Sequence, residues 1–263
     1  MTGTMKINRI TVTHYEYELP NLSLKIKGFD TLYSPGSRQK TTGSILTIET
    51  NSGIVGETQG TMNERTANYL LGRDPFQREI IWHDLKRSLR HAGGTPPGDV
   101  DVALWDIAGK TYNVPVYQLL GGWRKKLPAY PSTYHGDENG GYSSPEEYAD
   151  FARLCKEKYG YKGFKIHGWV NGPIKREVAA VLAIRDAVGD DFDLMLDPAG
   201  GFGTFHDVLR VGKACDEANY MWYEDPFRGG GFSQFAHAKL RQMIKTPILM
   251  GEHVRGLEAK MDM

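Results

Sequence analysis

The sequence predicts an α+β domain followed by a partial (β/α) barrel of parallel strands. Three observations predict it. Residues 1–126 mix strands and helices irregularly, whereas from Leu127 onward short apolar runs alternate with amphipathic helices, as in a parallel sheet. Three of those runs, "FDLMLD", "YMWYED" and "TPILMGE", end on or next to a carboxylate. Finally, His167, Asp197, Glu224 and Glu252 recur at steps of 30, 27 and 28 residues, about one βα unit each. The repeat fits a barrel better than an open sheet, although periodicity alone leaves the open sheet possible.

In the first region, "INRITVTHYEY" alternates apolar and polar positions as a half-buried strand does. "SILTIETNSGIVGET" reads as a hairpin turning at Asn51, Ser52 and Gly53. "DPFQREIIWHDLKRSL" reads as a helix with Asp74 as N-cap and Pro75 at its first position. "GDVDVALWDIAGKTY" carries Asp99 and Asp101 in its first turn and Lys110 in its last, which suits the helix dipole. An antiparallel sheet with helices beside it is expected here.

In the second region, residues 127–263, five strands are expected: "LPAYPSTY", "YKGFKIH", "FDLMLD", "YMWYED" and "TPILMGE". The helices between them carry their own signals. Ser144 and Glu147 make a capping box, and another helix starts at Pro173 and stops at Gly189.

Composition narrows the function. The 263 residues hold 32 basic and 32 acidic side chains, so no global charge points to nucleic acid or a membrane surface. No apolar run reaches a membrane span, and "MTGTMKINRI" lacks a secretory apolar core. Cys155 and Cys215 fall on apolar helix faces and read as core thiols of a protein kept in a reducing cytoplasm, in preference to a redox pair.

In a parallel barrel all strand C-termini gather at one mouth, which is where active sites form. Asp197, Glu224 and Glu252 would converge there. Three carboxylates raise one another's pKa steeply unless a cation compensates, and a hard divalent ion such as Mg²⁺ takes oxygen ligands of this kind. The alternative, that each acid caps a loop or pairs with an arginine, suits one acid better than three at repeat spacing. Lys165 and His167, two apart in "GFKIHGW", would both face the barrel interior while Ile166 faces the helices. The lysine suits a substrate carboxylate and the histidine suits proton transfer near neutral pH.

These residues carry a family resemblance. Asp101–Gly122, "DVALWDIAGKTYNVPVYQLLGG", together with "GRDPF" and the three acids, resembles the mandelate racemase/muconate lactonizing enzyme branch of the enolase superfamily. The resemblance implies an α+β capping domain over residues 1–126 and a modified (β/α)7β, TIM-like barrel from 127. It also implies Mg²⁺ bound by Asp197, Glu224 and Glu252. The shared chemistry it implies is removal of the proton α to a carboxylate, with Lys165 and His167 as the catalytic pair. A specificity loop is implied between Asn21 and Lys40, where Lys25, Lys27, Arg38 and Lys40 face one acid, Asp30; Lys25 and Arg38 are the candidate substrate-binding cations. Glu57 to Thr61 would form a second such loop. The implied substrate is a small hydroxy acid or acid sugar, and a full-length relative is expected to be a homo-oligomer.

The sequence also departs from the family. Its strand-two motif is usually lysine-x-lysine, and His167 takes the second place; Ala199 stands where many members have asparagine. The chain ends at Met263, soon after the fifth expected strand, so the family's last three strands are expected to be absent and the sequence to be a truncated product or a partial one. Open sheet edges would then favour poor solubility or association. "RGGGFSQF", Arg228–Phe235, lacks the full phosphate-binding glycine fingerprint and reads as a loop. An acid-sugar dehydratase is the leading expectation. A racemase or epimerase, which needs bases on both faces of the α-carbon, is the second, and a non-catalytic remnant the third.

Overall fold

Two sheets of different grammar organise the chain. The structure, a computed structural model, describes residues 4–24, 31–89, 98–136, 142–169, 172–227, 233–252 and 254–262. In chain order the first elements are β1 (Ile7–Leu24), β2 (Thr31–Thr50), β3 (Val55–Gln59), α1 (Glu64–Leu70), α2 (Arg78–Leu89), α3 (Gly98–Tyr112) and α4 (Val116–Leu119). There follow α5 (Pro145–Glu157), β4 (Gly163–Ile166), α6 (Ile174–Val188), β5 (Asp193–Leu196) and α7 (Phe205–Glu217). The last are β6 (Trp222–Glu224), α8 (Gln234–Arg241), β7 (Ile248–Leu249) and α9 (Leu257–Met261). Contacts divide the chain into two units: Met1–Glu18 with Lys40–Leu127, and Leu19–Gln39 with Pro128–Met263. The outer part of the β1–β2 excursion thus belongs to the second unit, where Leu32 pairs with His135.

In the first unit β2 pairs antiparallel with β3, from Glu49↔Val55 to Ile45↔Gln59. The turn lies at the expected residues: Gly53 has φ +82° and donates its N–H to Thr50 O. Ile7, Leu46, Ile48, Leu70, Ile81, Leu104 and Ile107 form the core. Helix α3 lies so close on β3 that a Cβ at Gly56 would run into the Ala103 carbonyl. One expectation is corrected here. Asp74 does not cap the helix; its Oδ1 accepts the Phe76 N–H in an Asx turn and α2 starts at Arg78.

In the second unit β4, β5, β6 and β7 form a parallel sheet in that order. The expected first strand is corrected to an isolated bridge, Ser132↔Lys165, flanked by the bonds Lys165 N–H to Pro131 O and Thr133 N–H to Lys165 O. Pro128 and Pro131 each remove a donor there, which limits the ladder. Helix α5 has the expected capping box, with Glu147 N–H on Ser144 Oγ and Ser144 N–H on Glu147 Oε2. Helix α6 begins at Ile174, one residue after its Pro173 cap, and closes at Gly189. The buried Arg185 donates to the carbonyls of Gly189, Phe192, Ala218 and Asn219, tying the end of α6 to the segments that enter β5 and β6.

Phe164, Ile166, Leu194, Leu196 and Tyr223 pack against the helices in one core, together with Cys155 and Cys215. Both thiols are free and buried, and burial pushes both pKa values up. Among the described residues, no helix is long and apolar enough to cross a membrane. Lys25 and Lys27 lie outside the described residues, as do residues 228–232 of the glycine-rich run.

Candidate metal centre

Each of three consecutive parallel strands delivers one acid. Asp197 directly follows β5, Glu224 is the last residue of β6, and Glu252 lies just beyond β7. Each offers a carboxylate oxygen within 4.8 Å of the other two, with Asp197 buried, Glu224 half-buried and Glu252 exposed. Oxygens around one octahedral Mg²⁺ lie about 3 to 4 Å apart, given ligand distances of about 2.0–2.1 Å. The spacing and the all-oxygen donor set therefore fit a hard divalent cation.

The counter-charges come from β4. Lys165 Nζ donates to Asp197 Oδ2 at 2.9 Å and to Glu224 Oε2 at 3.0 Å. Burial works against the charge on this lysine, but the two carboxylates outweigh it and raise its pKa. His167 Nε2 lies 3.2 Å from Asp197 Oδ2, and its Nδ1 lies 3.3 Å from Ser132 Oγ. Burial would raise the Asp197 pKa, yet the bonds and charges of His167 and Lys165 hold it down at about 2. Three carboxylates against one lysine leave two negative charges, the amount one divalent cation neutralises.

The interior placement of Lys165 and His167 follows from the alternation of β4, with Ile166 buried in the helix-facing core between them. Arg38 stands exposed on β2.

Further residues shape the site. Trp222 donates from Nε1 to Glu224 Oε2 at 3.0 Å and meets Tyr130 edge-on. It sits two residues before Glu224 on a strand, so strand alternation was the signal that could have revealed it. Asp225 is buried at φ +33°; its Oδ1 accepts the Gly251 N–H and its carbonyl accepts the Gly200 N–H. It thereby links the loops after β5, β6 and β7, which carry the three acids. Ala199, at φ +47°, donates its N–H to Asp197 Oδ1 at 2.9 Å and fixes that carboxylate from the loop side. His135 packs edge-on to His167 with ring centroids 5.3 Å apart, and its Nδ1 lies 3.2 Å from the His167 carbonyl.

Known proteins match both regions of the chain. Residues 31–121 match the model of the mandelate racemase/muconate lactonizing enzyme N-terminal domain, and residues 147–263 match that of the enolase C-terminal domain-like family. The chain is 34% identical over 232 residues to a D-galactonate dehydratase of Pectobacterium atrosepticum, covering 80% of this chain and 58% of the relative. It is 28% identical over 232 residues to a D-galactarolactone cycloisomerase of Agrobacterium fabrum, covering 81% and 58%. Among solved structures it resembles a D-glucarate dehydratase from Agrobacterium tumefaciens complexed with magnesium, with a TM-score of 0.81 and 29% identity. That match covers 94% of this chain and 67% of the other. The chain thus spans 58% of the length of each of these two curated relatives. A capping-type α+β unit, a parallel sheet that delivers acids at consecutive strand ends, and both halves of the family pattern place the chain in the mandelate racemase/muconate lactonizing enzyme family of the enolase superfamily.

Proposed function

We propose that this chain carries the Mg²⁺ site and the general base of an acid-sugar dehydratase. The observation that carries the proposal is the gathering of Asp197, Glu224 and Glu252 within 4.8 Å of one another, with Lys165 bonded to the first two. The named relatives include a galactonate and a glucarate dehydratase, which supports the substrate class.

When bound by the three acids, Mg²⁺ would hold the substrate carboxylate and stabilise the negative charge that develops on it. The chain's own residues do the rest. Lys165, whose Nζ reaches Asp197 and Glu224, would supply a positive charge beside the same group. His167 Nε2, which faces Asp197 Oδ2 at 3.2 Å, would be freed of that carboxylate when Asp197 serves as a metal ligand, and with Nδ1–H donating to Ser132 Oγ it could then accept the C2 proton. The imidazolium so formed faces Asp197. Loss of the C3 hydroxyl follows. The proton held on His167 can leave with it as water, and the enol that remains becomes a 2-keto-3-deoxy acid. One base on one face therefore suffices.

The test is to incubate the protein with Mg²⁺ and a panel of aldonic and aldaric acids in D₂O, following C2 deuteration by NMR and 2-keto acid by semicarbazone absorbance. Mg²⁺-dependent keto acid from at least one sugar acid is the expected result. Exchange and inversion at C2 without keto acid would favour a racemase instead. Neither product from the chain extended to its relatives' length would contradict the proposal.

A further inference from the structure

The loop that carries His167 is anchored from below by a buried acid. Glu177 lies in the first turn of α6 and is only 1% exposed. Its Oε1 accepts the Trp169 N–H at 2.7 Å, and its Oε2 has no hydrogen-bond partner among the described residues. Gly168, between His167 and Trp169, has φ +63°, and a Cβ there would collide with Glu177 Oε2. The carboxyl thus fills the space under a left-handed glycine that β4 needs in order to turn immediately after His167.

Other bonds converge on the same three residues. The Gly168 carbonyl accepts the Gly136 N–H at 2.8 Å and the Tyr148 hydroxyl at 3.3 Å. Trp169 Nε1 donates to Tyr142 O at 2.8 Å, and Arg176 stacks over the Trp169 ring at 4.3 Å. Glu177 holds a backbone donor of the turn, the Trp169 N–H. A buried carboxyl is costly to keep unless it has work in the structure.

We infer that Glu177 is a positioning residue for His167: by fixing the Gly168–Trp169 backbone it holds the imidazole between Ser132 and Asp197. The kinetic part of this inference rests on the proposed role of His167 as base; the geometric part does not. The groups facing Glu177 are Tyr148 from α5, Tyr223 from β6 and Arg176 from its own helix. Burial raises both tyrosines far above neutrality, so Glu177 is the group of this set that titrates in the working range.

The experiment compares Glu177→Gln, Glu177→Asp and Glu177→Leu with wild type by ¹⁵N NMR of the imidazoles, assigned with His167→Asn, and by C2 deuteration kinetics. Gln keeps an acceptor at the same reach, whereas Leu keeps the volume without an acceptor and Asp retracts the carboxyl. Glu177→Gln is expected to retain the wild-type His167 resonances and an exchange kcat within about threefold. Glu177→Leu and Glu177→Asp are expected to shift those resonances and to lower kcat roughly tenfold to hundredfold, the scale of an ångström-sized misplacement, with KM little changed. A folded Leu or Asp variant with unmoved His167 resonances would overturn the inference. If Glu177→Leu does not fold, the Asp and Gln pair decides alone. If His167 is not the base, exchange will be insensitive to all three variants while the resonance shifts persist, which separates failure of the functional reading from failure of this one.

Discussion

Lys165 and Asp197 form a buried ion pair, Nζ to Oδ2 at 2.9 Å, across the neighbouring strand ends of β4 and β5. Nothing larger than a lysine is needed to explain why the chain tolerates two buried or half-buried acids here, since the same Nζ also reaches Glu224 at 3.0 Å. The ammonium and a divalent cation are therefore alternative partners of the same carboxylates.

The first expected outcome follows from that competition. Replacing Lys165 by Met leaves Asp197 and Glu224 without their counter-charge, which should cost about 3 kcal/mol of stability in metal-free buffer. Mg²⁺ at a hundred times its Kd should return about 2.7 kcal/mol, since binding to the folded state alone shifts the equilibrium by mass action. Urea unfolding with and without Mg²⁺ measures both. A variant as stable as wild type without metal would mean that the pair is unimportant.

A second outcome concerns Trp222, whose indole N–H holds Glu224 Oε2. Trp222→Phe removes the donor and keeps a ring against Tyr130. Groups that orient a metal ligand typically change affinity by about 10- to 100-fold when removed. Calorimetric titration should show at least a tenfold weaker Mg²⁺ affinity, and the wild-type Trp emission should change on metal addition. An unchanged Kd would remove Trp222 from the site.

Much of this architecture could be read in the amino-acid sequence. The acids at the ends of β5, β6 and β7, and Lys165 on β4 with His167 directly after it, were visible because strand periodicity and the βα repeat are properties of local sequence. The Ser144–Glu147 box and the Asn51–Gly53 turn were visible for the same reason. Asp74 was misread because the signals for a helix cap and for an Asx turn overlap, and only the three-dimensional path separates them. The first strand was over-read because its prolines limit pairing. Glu177 and Asp225 were missed altogether. Each sits beside stronger signals, and each acts on backbone groups brought near only by the fold.

The third outcome is a pH dependence. Burial raises the Glu177 pKa from 4.5 to about 8, against the opposing pull of the Trp169 N–H and Arg176. The folded state then holds a proton that the unfolded state has lost between those values. The stability this proton contributes is full below pH 4.5 and disappears as pH rises through about 8. Glu177→Gln cannot ionise. Urea midpoints at pH 5 and pH 9 should show the variant gaining on wild type at the higher pH. A gap that stays constant between the two would contradict the raised pKa.

His167→Asn supplies the fourth. The amide cannot take a proton, so C2 deuteration should fall by about a hundredfold or more. Mg²⁺ affinity should stay near wild type, because the three acids remain. Exchange at the wild-type rate would move the base to another residue.

One divalent cation shared by Asp197, Glu224 and Glu252 underlies the proposed chemistry. The most direct test is an anomalous difference map from crystals grown with Mn²⁺ in place of Mg²⁺. A single peak about 2.2 Å from one oxygen of each of the three carboxylates, with Lys165 Nζ moved off Asp197 and Glu224, is the expected result. No peak between them at saturating Mn²⁺, with Lys165 still bonded to both acids, would contradict it.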